Sequence, residues 1–211
     1  MVWQYKTEYL SSSLVKQLID VCERLMQVQH KHVLKLIDYY YDGESFYTIH
    51  ESSDSFVTLD TFVKQLDTFD LKLLWKFSTH ILNFLLYLEQ QHLYAGGVNF
   101  STIIVTQSNE IYFTRIMLPI LIYKHNWKTL DVLEDCIFLA PEFIGANDYS
   151  IRSDMYSFGV LLYVFFSQSW PYKYSIKIDS MKKALIEGPH EFEPSHPKIP
   201  DRLKRIIDVC L

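Results

Sequence analysis

The most apolar stretch of the chain runs from Met155 to Phe166 and is interrupted only by Ser157 and Gly159. A helix over this stretch has no polar face, so it belongs inside a folded domain. The stretch is shorter than the roughly 20 apolar residues that a bilayer-spanning helix needs. The pattern therefore predicts a central buried helix, with the carboxylate of Asp154 in its first turn.

Elsewhere the hydrophobic pattern alternates between two periods. Helical spacing of apolar residues predicts helices over 14–29, 58–65, 70–91, 179–187 and 201–211. Two-residue alternation and short β-branched runs predict strands over 2–7, 32–40, 46–51, 103–106 and 111–114, with a hairpin turn at Asp42-Gly43. Strands and helices in this mixture predict an α+β domain.

Composition narrows the class of protein. A chain of 211 residues with 49% hydrophobic residues is long enough for one globular domain with a substantial core. A net charge of -5 offers no basic field for nucleic acid or anionic membranes, and neither partner is expected. Cys22, Cys136 and Cys210 lack metal-ligand spacing, and no secretory signal is visible, so we expect a cytoplasmic protein with reduced thiols.

Two segments carry a resemblance to a known family. Ala140-Pro141-Glu142, followed by SDMYSFGVLLYVFF and then WPY, resembles the end of the activation segment and the F helix of protein kinases. QHKHVLKLIDYY is similar to the segment after the C helix of that family. The resemblance implies structural roles for two acidic residues: Asp154 caps the backbone of the catalytic loop, and Glu142 pairs with an arginine near the end of the domain.

The resemblance also implies a division of the chain. Residues 1–211 are expected to form a single kinase-like domain with two lobes. Residues 1–57 correspond to a truncated small lobe without the glycine-rich hairpin, and residues 58–211 to a mostly helical large lobe that is incomplete at its C-terminus. On this reading the chain is a fragment or variant of a longer protein.

Phosphoryl transfer needs a lysine paired with a glutamate, a catalytic aspartate and asparagine, and a metal-binding aspartate. Lys6 matches the ATP-binding lysine, but Val21 falls on the glutamate position. The catalytic-loop motif is replaced by AGGVNFST. This alignment puts Gly97 at the position of the catalytic base and Thr102 at the position of the metal-binding asparagine. Arg115 takes the place of the metal-binding aspartate.

These replacements predict a pseudokinase, that is, a kinase-shaped domain that is not an enzyme. Glycine offers no side chain to accept a proton, and a guanidinium repels Mg²⁺. We therefore expect no cofactor and no metal, and a role as a protein-binding scaffold or allosteric regulator in signalling. The apolar run Met117–Tyr123, which either packs inside the domain or forms a docking surface, and Trp170-Pro171-Tyr172 are the candidate contact regions.

Several alternatives remain. The chain could be a divergent kinase that binds ATP through Lys6, or a non-functional truncated form of a longer kinase-like protein. Three weaker patterns match other kinds of site: His30 and His32 a shared ligand site, Gly96-Gly97 a phosphate cradle, and Asp131, Glu134 and Asp135 a metal-recruiting cluster. Each is more simply interpreted as ordinary structure.

Overall fold

A computed structural model describes residues 1–6, 11–51, 55–66, 70–126, 137–167, 169–172, 183 and 200–211; the side chains of residues 6 and 126 are outside this description. The strands are β1 (Val2–Lys6), β2 (Leu36–Tyr41), β3 (Ser45–His50), β4 (Phe56–Thr58), β5 (Ile103–Thr106) and β6 (Ile111–Phe113). The helices are α1 (Ser12–Leu25), α2 (Leu59–Lys64), α3 (Leu71–Gln90), α4 (Leu118–Asn126), α5 (Pro141–Ala146), α6 (Ile151–Ser167) and α7 (Asp201–Cys210).

The strands form two antiparallel three-stranded sheets. The first has the order β1-β3-β2 and the second β4-β5-β6. The predicted hairpin turn joins β2 to β3: Gly43 has a φ of 98°, and the carboxylate of Asp42 accepts from the N–H of Glu44 at 2.8 Å. Only glycine adopts that φ without strain, so the turn and the register it sets follow from the local sequence.

Helix α1 packs its predicted apolar face inward. The Ser11 side chain accepts from the Leu14 N–H at 3.2 Å and caps the helix start. Leu14, Leu18 and Leu25 along this face are buried. The helix ends at Leu25 rather than Gln29, although the chain beyond still packs on the core.

The central helix α6 is enclosed on all sides, as its composition predicts. From Ser153 to Ser167 every residue is buried or half-buried. The helix packs against α3 and closely against α7. A Cβ on Gly159 would lie 2.5 Å from the Cβ of Cys210, so a side chain at this position would push α7 away.

Three expectations are corrected. The apolar run from Met117 onwards forms α4, which packs against α1, and Leu118 and Ile120 are fully buried. The run is therefore part of the core, and the alternative in which it forms a docking surface is wrong. Residues 141–146, for which no helix was predicted, form helix α5. Leu71, whose helical spacing predicts a place on the core face of α3, is 40% exposed.

The remaining elements complete the predicted α+β class. Helix α3 begins at its Asp70 cap, whose carboxylate accepts from the Lys72 N–H at 2.8 Å. Helix α7 matches the predicted last helix, while the helix predicted over 179–187 falls outside the described residues apart from position 183. Within the described ranges, the helices are too short or too polar to cross a membrane.

Candidate functional site

The carboxylate of Asp154, on the first turn of α6, lies under the loop that follows α3. Its side chain is fully buried. One oxygen accepts from the backbone N–H of Ala95 at 2.6 Å, and the other accepts from Gly96 and Gly97, each at 3.1 Å. Tyr149 donates its hydroxyl to the same carboxylate at 2.6 Å. Three backbone donors therefore fix the loop onto the central helix, and Tyr149 supplies a fourth hydrogen bond to the same carboxylate.

The electrostatics of this carboxylate suit a structural role. Burial raises the pKa of Asp154 to about 6, although the hydrogen bonds from Tyr149 and from the three backbone N–H groups lower it. Both oxygens are occupied by donors from the protein. The group is thus a brace for the loop rather than a base that could reach a ligand.

The second acidic residue singled out in the sequence, Glu142, is exposed on α5. Its carboxylate accepts a hydrogen bond from the hydroxyl of Ser153. Within the described part of the chain it forms no ion pair with an arginine. Because Glu142 is solvated and hydrogen-bonded, it avoids the desolvation cost of an unpaired buried charge.

The loop at the catalytic-loop position closes tightly on the segment that follows β6. Gly96 and Gly97 have φ angles of 79° and 124°. A Cβ on Gly96 would lie 2.8 Å from the Cα of Met117, whose N–H donates to the carbonyl of Ala95 at 2.7 Å. Gly96 is therefore needed for close backbone contact, and Gly97 for its positive φ, which agrees with interpreting this pair as a turn.

Thr102, at the position of the metal-binding asparagine, is directed into the loop itself. It is buried, and its hydroxyl donates to the carbonyl of Gly97 at 2.8 Å. The side-chain oxygen of Asn99 accepts from the N–H groups of Ser101 and Thr102, each at 2.9 Å. These polar atoms hydrogen-bond within the loop and stabilise it internally.

Arg115, which the sequence predicts to lie at the position of the metal-binding aspartate, bridges two elements. Its guanidinium donates to the carbonyl of Ser101 at 2.7 Å and to the Ser101 hydroxyl at 2.8 Å. The same group lies 4.6 Å from the ring centroid of Trp3 on β1, within cation–π range. Burial raises the pKa of Tyr5 on the same strand, and the Arg115 charge opposes that rise. A fixed positive charge thus joins the first sheet to the loop.

Val21, at the position expected to pair with Lys6, is an apolar residue buried in α1. Glu23 nearby is exposed, and its carboxylate accepts a hydrogen bond from the Tyr39 hydroxyl at 3.5 Å. The backbone of Lys6 pairs with Ser45 in the first sheet, while its side chain lies outside the described residues.

A cavity of about 540 Å³ adjoins the loop. Its lining includes residues of α2 together with Phe100, Ser101, Phe138 and Trp170. Trp170 is 39% exposed at this cavity, whereas Tyr172 is buried. Of the Trp-Pro-Tyr region, the indole is therefore the part available for contact.

Several residues that complete the site were not predicted from the sequence. Ser101, Tyr149 and Ser153 act through partners that only the fold brings near. Trp3 could have been found, because Trp3 and Tyr5 face inward while their neighbours on β1 are exposed. That two-residue alternation is the signal of a half-buried strand.

Comparison with known proteins supports the resemblance. The family model described as "Protein tyrosine and serine/threonine kinase" matches residues 4–211. A probable inactive serine/threonine-protein kinase of Dictyostelium discoideum is 25% identical, over 96% of this chain and 18% of the relative. Serine/threonine-protein kinase STY46 of Arabidopsis thaliana is 21% identical, over 95% of this chain and 35% of the relative.

Protein-tyrosine kinase 6 of Mus musculus is 27% identical, over 69% of this chain and 33% of the relative. The chain thus spans about a third or less of the length of these three proteins. With a match over nearly all of its residues, and with the loop, α6 and β6 arranged as described, the chain belongs to the protein tyrosine and serine/threonine kinase family.

Proposed function

We propose that this chain is a catalytically inactive kinase domain that acts as a protein-binding scaffold or allosteric regulator in cytoplasmic signalling. Residues 1–57 serve as its small lobe and residues 58–211 as its large lobe. The observation that carries the proposal is the guanidinium of Arg115, held by Ser101 and Trp3 at the position of the metal-binding aspartate.

Charge is the physical reason. Kinases neutralise the transferred phosphoryl group with Mg²⁺ held by carboxylate and asparagine oxygens. Two like unit charges 4 Å apart repel by about 4 kcal/mol near a protein surface, and Mg²⁺ carries two. With Gly97 and Thr102 at the other two positions, the loop offers no side-chain carboxylate to offset this repulsion.

The contacts of the loop also favour a structural role. Its backbone is fixed by Asp154 from one side and its polar side chains bond to one another. A rigid loop of this kind preserves a kinase-shaped surface without chemistry. The Dictyostelium relative, itself named as a probable inactive kinase, lends support from the comparison.

Phosphotransfer is the first test. The purified chain is incubated with labelled Mg-ATP, alone and with a generic protein substrate, and its melting is followed with and without Mg-ATP. We expect no label transfer and no shift in Tm. A bound ligand at a hundredfold over its Kd adds about 2.7 kcal/mol to the free energy of unfolding, which gives a readily measured rise in Tm. Label transfer, or a Tm shift that Lys6→Ala abolishes, would support the divergent-kinase alternative.

Partner binding is the second test, and it uses the exposed indole. Buried tryptophans at interfaces often contribute 2 kcal/mol or more to binding, so Trp170→Ala should remove a partner that contacts the cavity. Tyr40→Ala is the matched control, because Tyr40 is 60% exposed on β2. Affinity capture from cells should recover a protein that is lost with Trp170→Ala and kept with Tyr40→Ala. Equal recovery by both variants would remove Trp170 from the proposal.

A further inference from the structure

Three potential metal ligands meet away from the catalytic-loop position. His32 lies in the loop between α1 and β2, His80 on α3, and Glu110 at the turn between β5 and β6. One ligand atom from each lies within 4.8 Å of the other two. The cluster therefore joins three elements that are distant in sequence.

His32 is oriented as a ligand would be. It is only 3% exposed, and its Nδ1 lies 3.1 Å from the carbonyl oxygen of Ile111. A carbonyl can only accept, so Nδ1 carries the proton and Nε2 bears the lone pair. That Nε2 is buried and has no hydrogen-bond partner in the described part of the chain. Metal-binding histidines are typically fixed in this way by a carbonyl at the other ring nitrogen.

His80 and Glu110 supply the other two atoms. The His80 ring stacks on His32 with centroids 4.0 Å apart, and its buried Nδ1 makes no hydrogen bond among the described residues. This Nδ1 lies 3.8 Å from Oε2 of Glu110. Lys76 donates to the other carboxylate oxygen and lowers the pKa of Glu110, which keeps the group ionised. Burial lowers the pKa of both histidines, so their rings are neutral at pH 7.

We propose that His32, His80 and Glu110 bind one divalent transition-metal ion, with Zn²⁺ the best match. Two imidazole nitrogens and one carboxylate oxygen are a common zinc set, and water completes the coordination. Mg²⁺ prefers oxygen ligands and should bind far more weakly. Metal–ligand bonds of about 2.0–2.2 Å require the three ligand atoms to draw together around the ion.

His30 does not take part, although it lies only two residues from His32 in the sequence. Its Nδ1 accepts from the backbone N–H of His32 at 3.2 Å, and its ring lies against Phe84 and Tyr87. The bound ion instead ties the α1–β2 loop to α3 and to the β5–β6 turn. It is a structural tie between these elements, separate from the phosphate chemistry that the family performs.

The test measures Zn²⁺ binding by the EDTA-stripped full chain in competition with a chromophoric chelator. We expect one high-affinity Zn²⁺ per chain, a rise in Tm on addition of Zn²⁺, and no such rise with Mg²⁺. His80→Gln should weaken Zn²⁺ binding at least tenfold. His125→Gln, an exposed histidine on α4, is the matched control and should bind as the wild type does.

A second variant covers the case in which His80→Gln fails to fold. Glu110→Gln changes a side chain that is 41% exposed, and it should also weaken Zn²⁺ binding at least tenfold. Co²⁺ added to the wild type should give the visible absorption of a four- or five-coordinate site, which Glu110→Gln should diminish. Failure of the wild type to bind Zn²⁺, or binding unchanged by both His80→Gln and Glu110→Gln, overturns the proposal.

Discussion

The loop at residues 95–102 is held from two sides by residues of opposite charge. On one side the carboxylate of Asp154 is fully buried and accepts four hydrogen bonds, three of them from the loop backbone. On the other side Arg115 is half-buried, and its guanidinium contacts Ser101 and Trp3. Asp154 supports the fold, while Arg115 stands where we propose that an active kinase has its metal-binding carboxylate.

The two sides of the loop differ in what they stabilise and in how much they should contribute to the fold. A buried carboxylate with four donors is costly to remove, because its loss leaves buried N–H groups unpaired. On the other side, Thr102 and Arg115 hydrogen-bond to the loop itself. The fold should therefore depend more on the first side than on the second.

The largest effect should come from removing the buried carboxylate. Asp154→Ala leaves three backbone N–H groups and the Tyr149 hydroxyl without an acceptor, and should lower the free energy of unfolding by about 3–5 kcal/mol. Urea unfolding followed by circular dichroism measures the change. Asp148→Ala, at an exposed aspartate on the same segment, should have little effect. Equal midpoints for the two variants would mean that the brace is unimportant.

Crowding of the loop backbone should give the next effect. Gly96→Ala places a Cβ at 2.8 Å from the Cα of Met117 in a residue with positive φ. Backbone strain and displacement together should cost about 2–4 kcal/mol. Gly145→Ala on α5 is the control, since nothing lies within 4 Å of its Cβ position. If Gly96→Ala unfolds at the same urea concentration as Gly145→Ala, the close packing of the loop is not as described.

Loss of the arginine bridge should have a smaller effect. Arg115→Ala removes a cation–π contact and two hydrogen bonds at a half-buried site, and should lower the free energy of unfolding by about 1–2 kcal/mol. The exposed Arg152→Ala on α6 controls for the loss of a positive charge. A destabilisation larger than that of Asp154→Ala would reverse the comparison between the two sides of the loop.

The smallest effect is a pH dependence specific to Asp154. Its pKa in the folded chain, about 6, exceeds the unfolded value of about 3.9, so the folded state binds the extra proton between these values. The carboxyl therefore contributes most stability at low pH, and that contribution falls as pH rises through 6. Between pH 5 and pH 7 the loss should be about 1 kcal/mol.

Comparison of the wild type with Asp154→Asn isolates this term, because other titrating groups are common to both chains. Urea midpoints at pH 5, 6 and 7 should show the wild type losing stability relative to the variant as pH rises. A slope of the opposite sign would mean that the four donors outweigh burial in setting the pKa of Asp154.

Much of the fold could be predicted from local signals. The Ser11 cap, the Asp42-Gly43 turn and the helical spacing in α3 each specify their own element, because capping, positive φ and amphipathic burial depend on neighbouring residues. Helix α4 was missed as an element, since an apolar run of that length does not separate helix from strand or loop by its pattern alone. The burial of α4 against α1 then excluded the alternative in which this apolar run forms an exposed docking surface.

The sequence by itself determined the class of domain and its central helix, and it predicts that Gly97, Thr102 and Arg115 stand where the family's catalytic and metal-binding residues lie, because these inferences use only residue identity and spacing. Only the tertiary structure decided what those residues do. Contacts such as Arg115 with Trp3 and His32 with His80 join positions far apart in the chain. No local pattern encodes such contacts, since they arise from the packing of separately formed elements around one core.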